Sequence, residues 1–355
     1  MKKFFKTVGF IVLTAAIIFG GFLAYITITD YRPAKVINLM SGKKTLTFHP
    51  IVKDTFNFMT WNIGYAGLGA GMDFFYDGGT KVRPTKKMVE QYLKGIEQFV
   101  EAHDTIDFWY IQEVDEHSHR SYYFDEVKDI SEAKKGSHAI FALNYDCPFV
   151  PVPPRDPMGE VKGGLMTFTN LPYTEATRYA YPLIAPWPDK LFLLDRCFIL
   201  MRFPLENGKD LVIMNTHNSA YIYDSLLRVK ELNVLKTKML EEYKKGNYVI
   251  AGGDWNANPP DFKPEGNYDG NRFVPTKVQM SDKTFPSTWH WAIDATAPTN
   301  RENYKSFVRG ENGTTNIDYF ILSPNVKLLN VKTIDLNFQN SDHNPVYMKV
   351  ALEQN

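Results

Sequence analysis

Tyr248-Val249-Ile250-Ala251-Gly252-Gly253-Asp254-Trp255-Asn256 decides how the rest of the chain is read. Four strand-type apolar residues run into two glycines, and an acid and an amide follow, two positions apart. In an extended segment that spacing puts both side chains on one face. Two glycines at the tip let the chain turn tightly. Polar groups left at a strand end, where packing would favour something else, point to chemistry there.

The same pattern recurs on both sides of this stretch. Upstream, Thr60-Trp61-Asn62-Ile63-Gly64 follows an apolar run over 56–59, and Trp109-Tyr110-Ile111-Gln112-Glu113-Val114 ends an apolar strand in an acid. Val212-Ile213-Met214-Asn215-Thr216-His217-Asn218 carries a histidine to its tip. Downstream, Thr315-Asn316-Ile317-Asp318-Tyr319-Phe320 opens a strand on an acid, and Ser341-Asp342-His343-Asn344-Pro345-Val346 sets a carboxylate beside an imidazole. Singly, each has an ordinary explanation: Asn62 as a turn residue, Glu113 as a strand-end acid, Asp318 as a cap. Their ordered combination carries the reading.

The chemistry of the set is that of phosphate-ester cleavage around one bound divalent cation. Magnesium prefers a few carboxylates, keeps waters and borrows substrate oxygens. Glu113 suits that role, as does Asp342, directly or through water. An amide such as Asn62 or Asn256 holds a carboxylate or phosphate oxygen without adding charge. Asp254 orients or deprotonates water, and His217 donates to a phosphoryl oxygen. His343, oriented by Asp318, exchanges a proton and stabilises charge as its ring becomes cationic. A two-metal reading needs a second carboxylate cluster, which Asp254 with Asp342 supplies; one ion is preferred.

In this order, the residues resemble the endonuclease/exonuclease/phosphatase superfamily, the deoxyribonuclease I-like fold. The most specific marks are Ile-Gln-Glu-Val at 111–114, Gly-Asp-Trp-Asn at 253–256 and Ser-Asp-His-Asn-Pro-Val at 341–346. The resemblance covers residues 55–355 and implies an α/β fold, a four-layer α/β/β/α sandwich of two packed mixed sheets. It implies Mg2+ or Mn2+ as cofactor. It makes Glu113 the principal metal ligand, supported by Asn62 and Asp342, and gives catalytic work to His217, Asp254, Asn256, Asp318 and His343. His217 resembles the deoxyribonuclease and sphingomyelinase branches more than the abasic-site repair branch, where tyrosine is usual. The segment before Asp318 lacks the Trp-Cys-Asp-Arg pattern of inositol-polyphosphate 5-phosphatases.

Periodicity supplies the elements. Residues 55–61, 108–111, 164–169, 211–216, 248–251, 317–322 and 346–350 read as strands. Residues 85–100 place Met88, Val89, Tyr92, Leu93, Ile96, Phe99 and Val100 on one helical face, and 224–243 do the same with Leu227, Leu232, Val234, Leu235 and Leu240. Loops 64–80, 147–164 and 259–282 are longer than most connections and suggest binding elements around a cleft. In the first of these, Phe74, Phe75 and Tyr76, with Asn218 beside His217, are expected to touch substrate, either acyl chains or a base or sugar.

At the N-terminus, residues 8–28 form a nearly uncharged apolar run of about 30 Å, one hydrocarbon core, preceded by Lys2, Lys3 and Lys6. The lysines favour an inside N-terminus, leaving the catalytic domain outside the cytoplasm. Residues 1–30 therefore read as a membrane anchor, 31–54 as a stalk and 55–355 as the catalytic domain. A cleaved signal peptide with secretion is the rival, although its apolar region would be shorter and no Ala-x-Ala site follows.

The sequence carries 40 basic and 40 acidic residues and a formal charge of zero. That balance weakens a nucleic-acid reading without removing it, because phosphate contacts dominate such affinity. Cys147 and Cys197 decide nothing. Expected substrates are lipid headgroups or small organic phosphates, with an extracytoplasmic nuclease or a non-catalytic phosphate-binding protein as alternatives. No protein partner is inferable.

Overall fold

The computed structural model describes residues 1–40, 49–220, 225–263 and 278–353. Helix α1 (Lys2–Thr29) leads to strands β1 (Val36–Asn38) and β2 (Thr55–Asn62), helix α2 (Lys86–Ala102), β3 (Phe108–Asp115), helix α3 (Glu126–Ala133), β4 (His138–Val150), β5 (Gly159–Thr169), β6 (Glu175–Ala180), β7 (Cys197–Pro204) and β8 (Asp210–His217). Then come helix α4 (Ser225–Lys244), β9 (Tyr248–Asp254), β10 (Ala257–Asn258), β11 (Val278–Gln279), β12 (His290–Ala292), β13 (Asn300–Arg301), β14 (Thr314–Thr315), β15 (Asp318–Leu322), β16 (Val326–Thr333) and β17 (Val346–Leu352).

Two sheets dominate, ordered β16-β17-β2-β3-β5-β4 and β1-β6-β7-β8-β9-β15-β12. Each is mixed: β2 and β3 run parallel in the first, β8 and β9 in the second, and the other pairs are antiparallel. Strand alternation explains the packing. Phe56 and Phe58 of β2, Phe108 and Tyr110 of β3, Leu211 and Ile213 of β8, Tyr248 and Ile250 of β9, and Phe320 of β15 fill the space between the sheets. Intervening residues such as Met59, Trp61, Trp109 and Ile111 turn outward beneath α2 and α3. Val212, Met214, Val249 and Ala251 turn outward beneath α4. The layers are helix, sheet, sheet, helix, as expected.

Helix α2 begins where Thr85 caps the Met88 N–H, and its predicted face is the one it buries. On α4 the match is looser: Leu235 and Met239 pack inward, while Val234 is exposed. Asp224, the predicted start of that helix, and the central part of loop 259–282 lie outside the described residues. The expected stalk is partly built into the domain. Strand β1 pairs antiparallel with β6, and Ile51 is buried in the inter-sheet core. Strands β4, β6, β7 and β16, and helix α3, were not singled out from the sequence.

Helix α1 projects from this body. Its apolar side chains are almost all exposed, Ile26 being its buried residue. A core helix would be covered; this one is long and apolar enough to cross a membrane, as a signal sequence also is.

Candidate active site

Between the sheets, the apolar core gives way at one end to polar residues on the same inward positions. Gln112 donates to Asn215 Oδ1 at 2.7 Å and to Thr60 Oγ1 at 3.2 Å, and the Asn215 amide donates to Met166 O and Thr167 Oγ1. This tie joins the two sheets. Just beyond it lie Asn62, Glu113, His217, Asp254, Asp318 and His343, brought to one place by strands of both sheets.

Glu113 reaches this place because β3 is irregular. Regular alternation would send it outward after inward-facing Gln112, but the register shifts between Ile111 and Val114 and Glu113 takes φ +54°. A non-glycine residue there is uncommon, and such conformations gather at functional sites. The turn aims its carboxylate at Asn62, whose Nδ2 lies 3.0 Å from Glu113 Oε1 and 3.0 Å from Asp254 Oδ2. The Asn62 oxygen accepts the Gly64 N–H at 2.9 Å. In this arrangement Asn62 braces the two carboxylates, because an amide between two anions presents its NH2 to both.

Asp254 is the hub. Its Oδ2 also lies 3.2 Å from Asn256 Nδ2, 3.5 Å from His217 Nε2 and 3.9 Å from His343 Nε2. Its Oδ1 accepts the Asn256 N–H at 2.8 Å. The one-face argument for residues 254 and 256 needs revision, because Asn256 sits at φ +47° in a turn. The side chains meet through that turn. Buried Arg228 fixes it by donating to Asn256 O at 2.7 Å. Nor do the glycines form a tip turn; both lie inside β9. A Cβ on Gly252 would stand 2.2 Å from the Phe320 ring, and one on Gly253, at φ +137°, would stand 2.0 Å from Thr216 O.

His343 Nδ1 bonds Asp318 Oδ2 at 2.8 Å. Burial opposes charge on the ring, but Asp318, Asp342 and Asp254 outweigh it and push His343 up to about 10. Burial raises Asp318 as well, although His343 pulls it back. Within the pair the proton belongs to the imidazole. Asn300 opposes this: its Nδ2 lies 3.0 Å from His343 Nε2 and 3.3 Å from Asp342 O, so it offers a donor where a cationic ring would offer another. Three carboxylates decide the balance over one amide.

Asp342 accepts from Asn303 Nδ2 at 2.6 Å, and Phe74 N–H donates to Asn303 O at 2.6 Å. The 64–80 loop is thereby tied to the site. Buried Arg301 ties it further, donating to Leu68 O at 3.0 Å, Gly69 O at 2.9 Å and Met72 O at 3.3 Å. Within that loop Phe74 packs inward with Tyr65, Leu68 and Met72, Phe75 is half-buried, and Tyr76 is exposed. Of the three aromatics expected to meet substrate, Tyr76 alone is open to solvent. Asn218 is fully buried, bonded to Thr216 Oγ1, Asp254 O and Asn256 Nδ2. These contacts occupy its backbone and its side-chain oxygen, while its Nδ2 has no partner among the described residues.

Sequence reading missed Asn300, Arg301, Asn303, Arg228 and Arg120. Arg120 makes a bidentate pair with Asp115 behind Glu113 and lies 3.7 Å over the Tyr65 ring. None of the five ends an apolar run, so no periodic signal marks them.

Among the described residues, two groups can hold a cation. Ligand atoms of Glu113, His217 and Asp254 lie within 4.8 Å of one another, and so do those of Asp254, Asp318 and His343. The donor set fits a divalent ion. Burial first, and then the neighbouring Asp342 carboxylate, raise Glu113 above the ordinary carboxylate range, which marks a concentration of negative charge that a cation relieves.

A family model described as Endonuclease/Exonuclease/phosphatase family matches residues 59–343. No curated protein matches the chain in sequence. Among solved structures, an endonuclease/exonuclease/phosphatase from Beutenbergia cavernae is 16% identical with a TM-score of 0.55, covering 85% of this chain and 72% of that one. A family protein from Bacteroides thetaiotaomicron is 16% identical with a TM-score of 0.54, covering 86% and 100%. ANGEL2, described as a 2′,3′-cyclic phosphatase in complex with adenosine-2′,3′-vanadate, is 14% identical with a TM-score of 0.52, covering 91% and 100%. At these identities the likeness is one of fold.

Proposed function

We propose that this chain, which belongs to the Endonuclease/Exonuclease/phosphatase family, is a Mg2+- or Mn2+-dependent phosphoric ester hydrolase. Its substrates are lipid headgroups or small organic phosphates outside the cytoplasm. The observation that carries the reading is the position of Asp254 Oδ2, within 3.9 Å of Asn62, His217, Asn256 and His343 at once. Packing alone would not gather an acid, two amides and two imidazoles where apolar strands end.

Glu113 and Asp342, with Asp254 close by, would hold the cation, which supplies Lewis-acid charge at a non-bridging phosphoryl oxygen. The remaining work falls to the chain. Asn62 keeps the Glu113 and Asp254 carboxylates at a fixed separation. His217 offers an N–H to the charge that develops on the phosphoryl group, while Asn256, with its NH2 on Asp254 Oδ2 and Asn218 O, keeps the Asp254 carboxylate in place. Asp254 accepts the proton of the attacking water. His343, cationic at neutral pH through Asp318, gives a proton to the departing oxygen as the P–O ester bond breaks. Products are the free alcohol and the shortened phosphate.

The test uses the full-length chain in detergent with bis-p-nitrophenyl phosphate, p-nitrophenyl phosphate, a phospholipid and plasmid DNA. Turnover with Mg2+ or Mn2+ and its loss in EDTA are expected. Silence across the whole panel rejects the hydrolase and leaves a phosphate-binding protein. The DNA arm is included because ANGEL2, a relative in fold, is described with an adenosine ligand. Rapid DNA cleavage without lipid turnover puts an extracytoplasmic nuclease first.

A further inference from the structure

Strand directions place the root of α1 at the catalytic end of the sandwich. Strand β4 is antiparallel to β5, which is antiparallel to β3, so β4 ends on the side where β3 delivers Glu113. Strand β6 is antiparallel to β7, which is antiparallel to β8, so β6 ends on the side where β8 delivers His217. The connections after β4 and after β6, residues 151–158 and 181–196, therefore emerge at the site end. The chain also enters the domain there, with Ala180 N–H donating to Lys35 O.

These connections hold the last two turns of α1. The Phe22 ring stacks on Phe192 at 6.3 Å and meets Phe149 edge-on at 6.0 Å, Ile26 is fully buried, and Trp187 Nε1 donates to Thr27 Oγ1 at 3.2 Å. Around that contact Phe149, Val152, Leu183, Ile184, Trp187 and Leu193 are exposed, Trp187 by 55%. Monomers rarely gather large apolar side chains in an open patch without a partner for it.

The helix acts as a ruler for what covers this rim. Phe22 lies six residues, about 9 Å, before the end of the apolar run at Ile28. If residues 8–28 fill the hydrocarbon, then whatever packs on Phe22 lies below the bilayer surface. A tryptophan beside Thr27 suits the interface, where an apolar ring with one N–H is favoured. Asp30 and Arg32, paired at 2.8 Å, mark the return to water.

We propose that this rim is a lipid-docking surface that presses the catalytic end of the domain against the bilayer from which α1 emerges. The site then faces a surface of phosphate headgroups, which selects membrane phospholipid over soluble ester. This last step rests on the hydrolase reading; the docking itself does not.

Trp187 provides the probe, since the other five tryptophans are buried or partly covered. The full chain and its Trp187→Phe variant are placed in phosphatidylcholine nanodiscs with and without brominated acyl chains. Bromination should quench wild-type emission, and the variant should lose about half of that quenching or more. Equal quenching in both puts Trp187 in water and overturns the proposal. A Leu183→Ser/Ile184→Ser variant should lose about tenfold or more in turnover of vesicle phospholipid while cleaving bis-p-nitrophenyl phosphate at the wild-type rate. Loss on both substrates, or on neither, also overturns it. If wild type cleaves nothing, the hydrolase reading falls while the quenching result still decides docking. A rim that binds a second copy would show self-association in detergent, relieved by the serines, and no quenching, which rejects the lipid assignment.

Discussion

Asp318 Oδ2 and His343 Nδ1 lie 2.8 Å apart, the acid at the start of β15 in one sheet and the imidazole just ahead of β17 in the other. The bond crosses the sandwich and holds a proton on the ring at Nδ1. It couples how the sheets pack to how the site is charged.

Removing the charge but keeping the shape tests that coupling. Asp318→Asn should lower kcat by about 10²–10⁴-fold with the fold intact. His343 is pushed up to about 10 mainly by acids that overcome its burial. An acid with that pKa is active below it and fails as pH rises through it. In Asp318→Asn the alkaline limb of the pH–rate profile should therefore move to lower pH by about one unit or more. An unmoved limb would show that the pair does not control the transferred proton.

Asn300 contributes the opposite sign. Its N–H at His343 Nε2 favours the neutral ring. Asn300→Ala should raise the pKa of the ring and shift the same limb to higher pH, with a loss in kcat of about 5–10-fold, the worth of one hydrogen bond. A shift in the same direction as in Asp318→Asn would contradict this geometry.

Cation affinity should depend on Glu113. Glu113→Gln keeps the contact with Asn62 possible while removing one negative charge, and should weaken Mn2+ binding by about 10–100-fold in calorimetry. EDTA treatment of wild type should abolish turnover, and added Mg2+ or Mn2+ should restore it. Unchanged Mn2+ affinity in the variant would move the ion to the cluster of Asp254, Asp318 and His343.

Acid stability should report a network far from the site. Glu242 accepts from Arg202 at 3.0 Å, Lys245 at 2.7 Å and Asn247 at 2.9 Å. Burial works against its charge, but these partners prevail and hold the carboxyl at about 2, below the ordinary 4.5. A depressed acid stabilises the fold above its unfolded pKa, and that contribution fades as pH falls from about 4.5 to 2. Glu242→Gln should cost about 1–2 kcal/mol at neutral pH, after allowance for solvent screening, and should flatten the fall over that window. Parallel unfolding curves for variant and wild type would remove Glu242 from the account.

Much of this protein was legible in one dimension. Local alternation shows that residues such as Phe56, Phe58, Ile213 and Ile250 share a face, and the acids and imidazoles that interrupt those runs mark the polar end of the strands from sequence alone. The apolar run at 8–28 announces a helix by length and composition alone. These signals are visible because each depends only on near neighbours in the chain.

Tertiary structure decided what depends on distant neighbours. That Glu113 would leave the strand pattern at positive φ follows from the shift in its pairing with β5, which no property of residues 111–114 reveals. The orientation of the Asn62 amide follows from two carboxylates 51 and 192 positions away. Both glycines of β9 are needed because of Phe320 and Thr216, which belong to neighbouring strands. Asn300 and Arg301 lie on a two-residue strand, too short to show a period, and are defined by what folds against them. Sequence determines which faces are apolar and where polar groups stand along each strand; the register between strands determines which of those groups meet, because that register is set by packing across the whole sandwich.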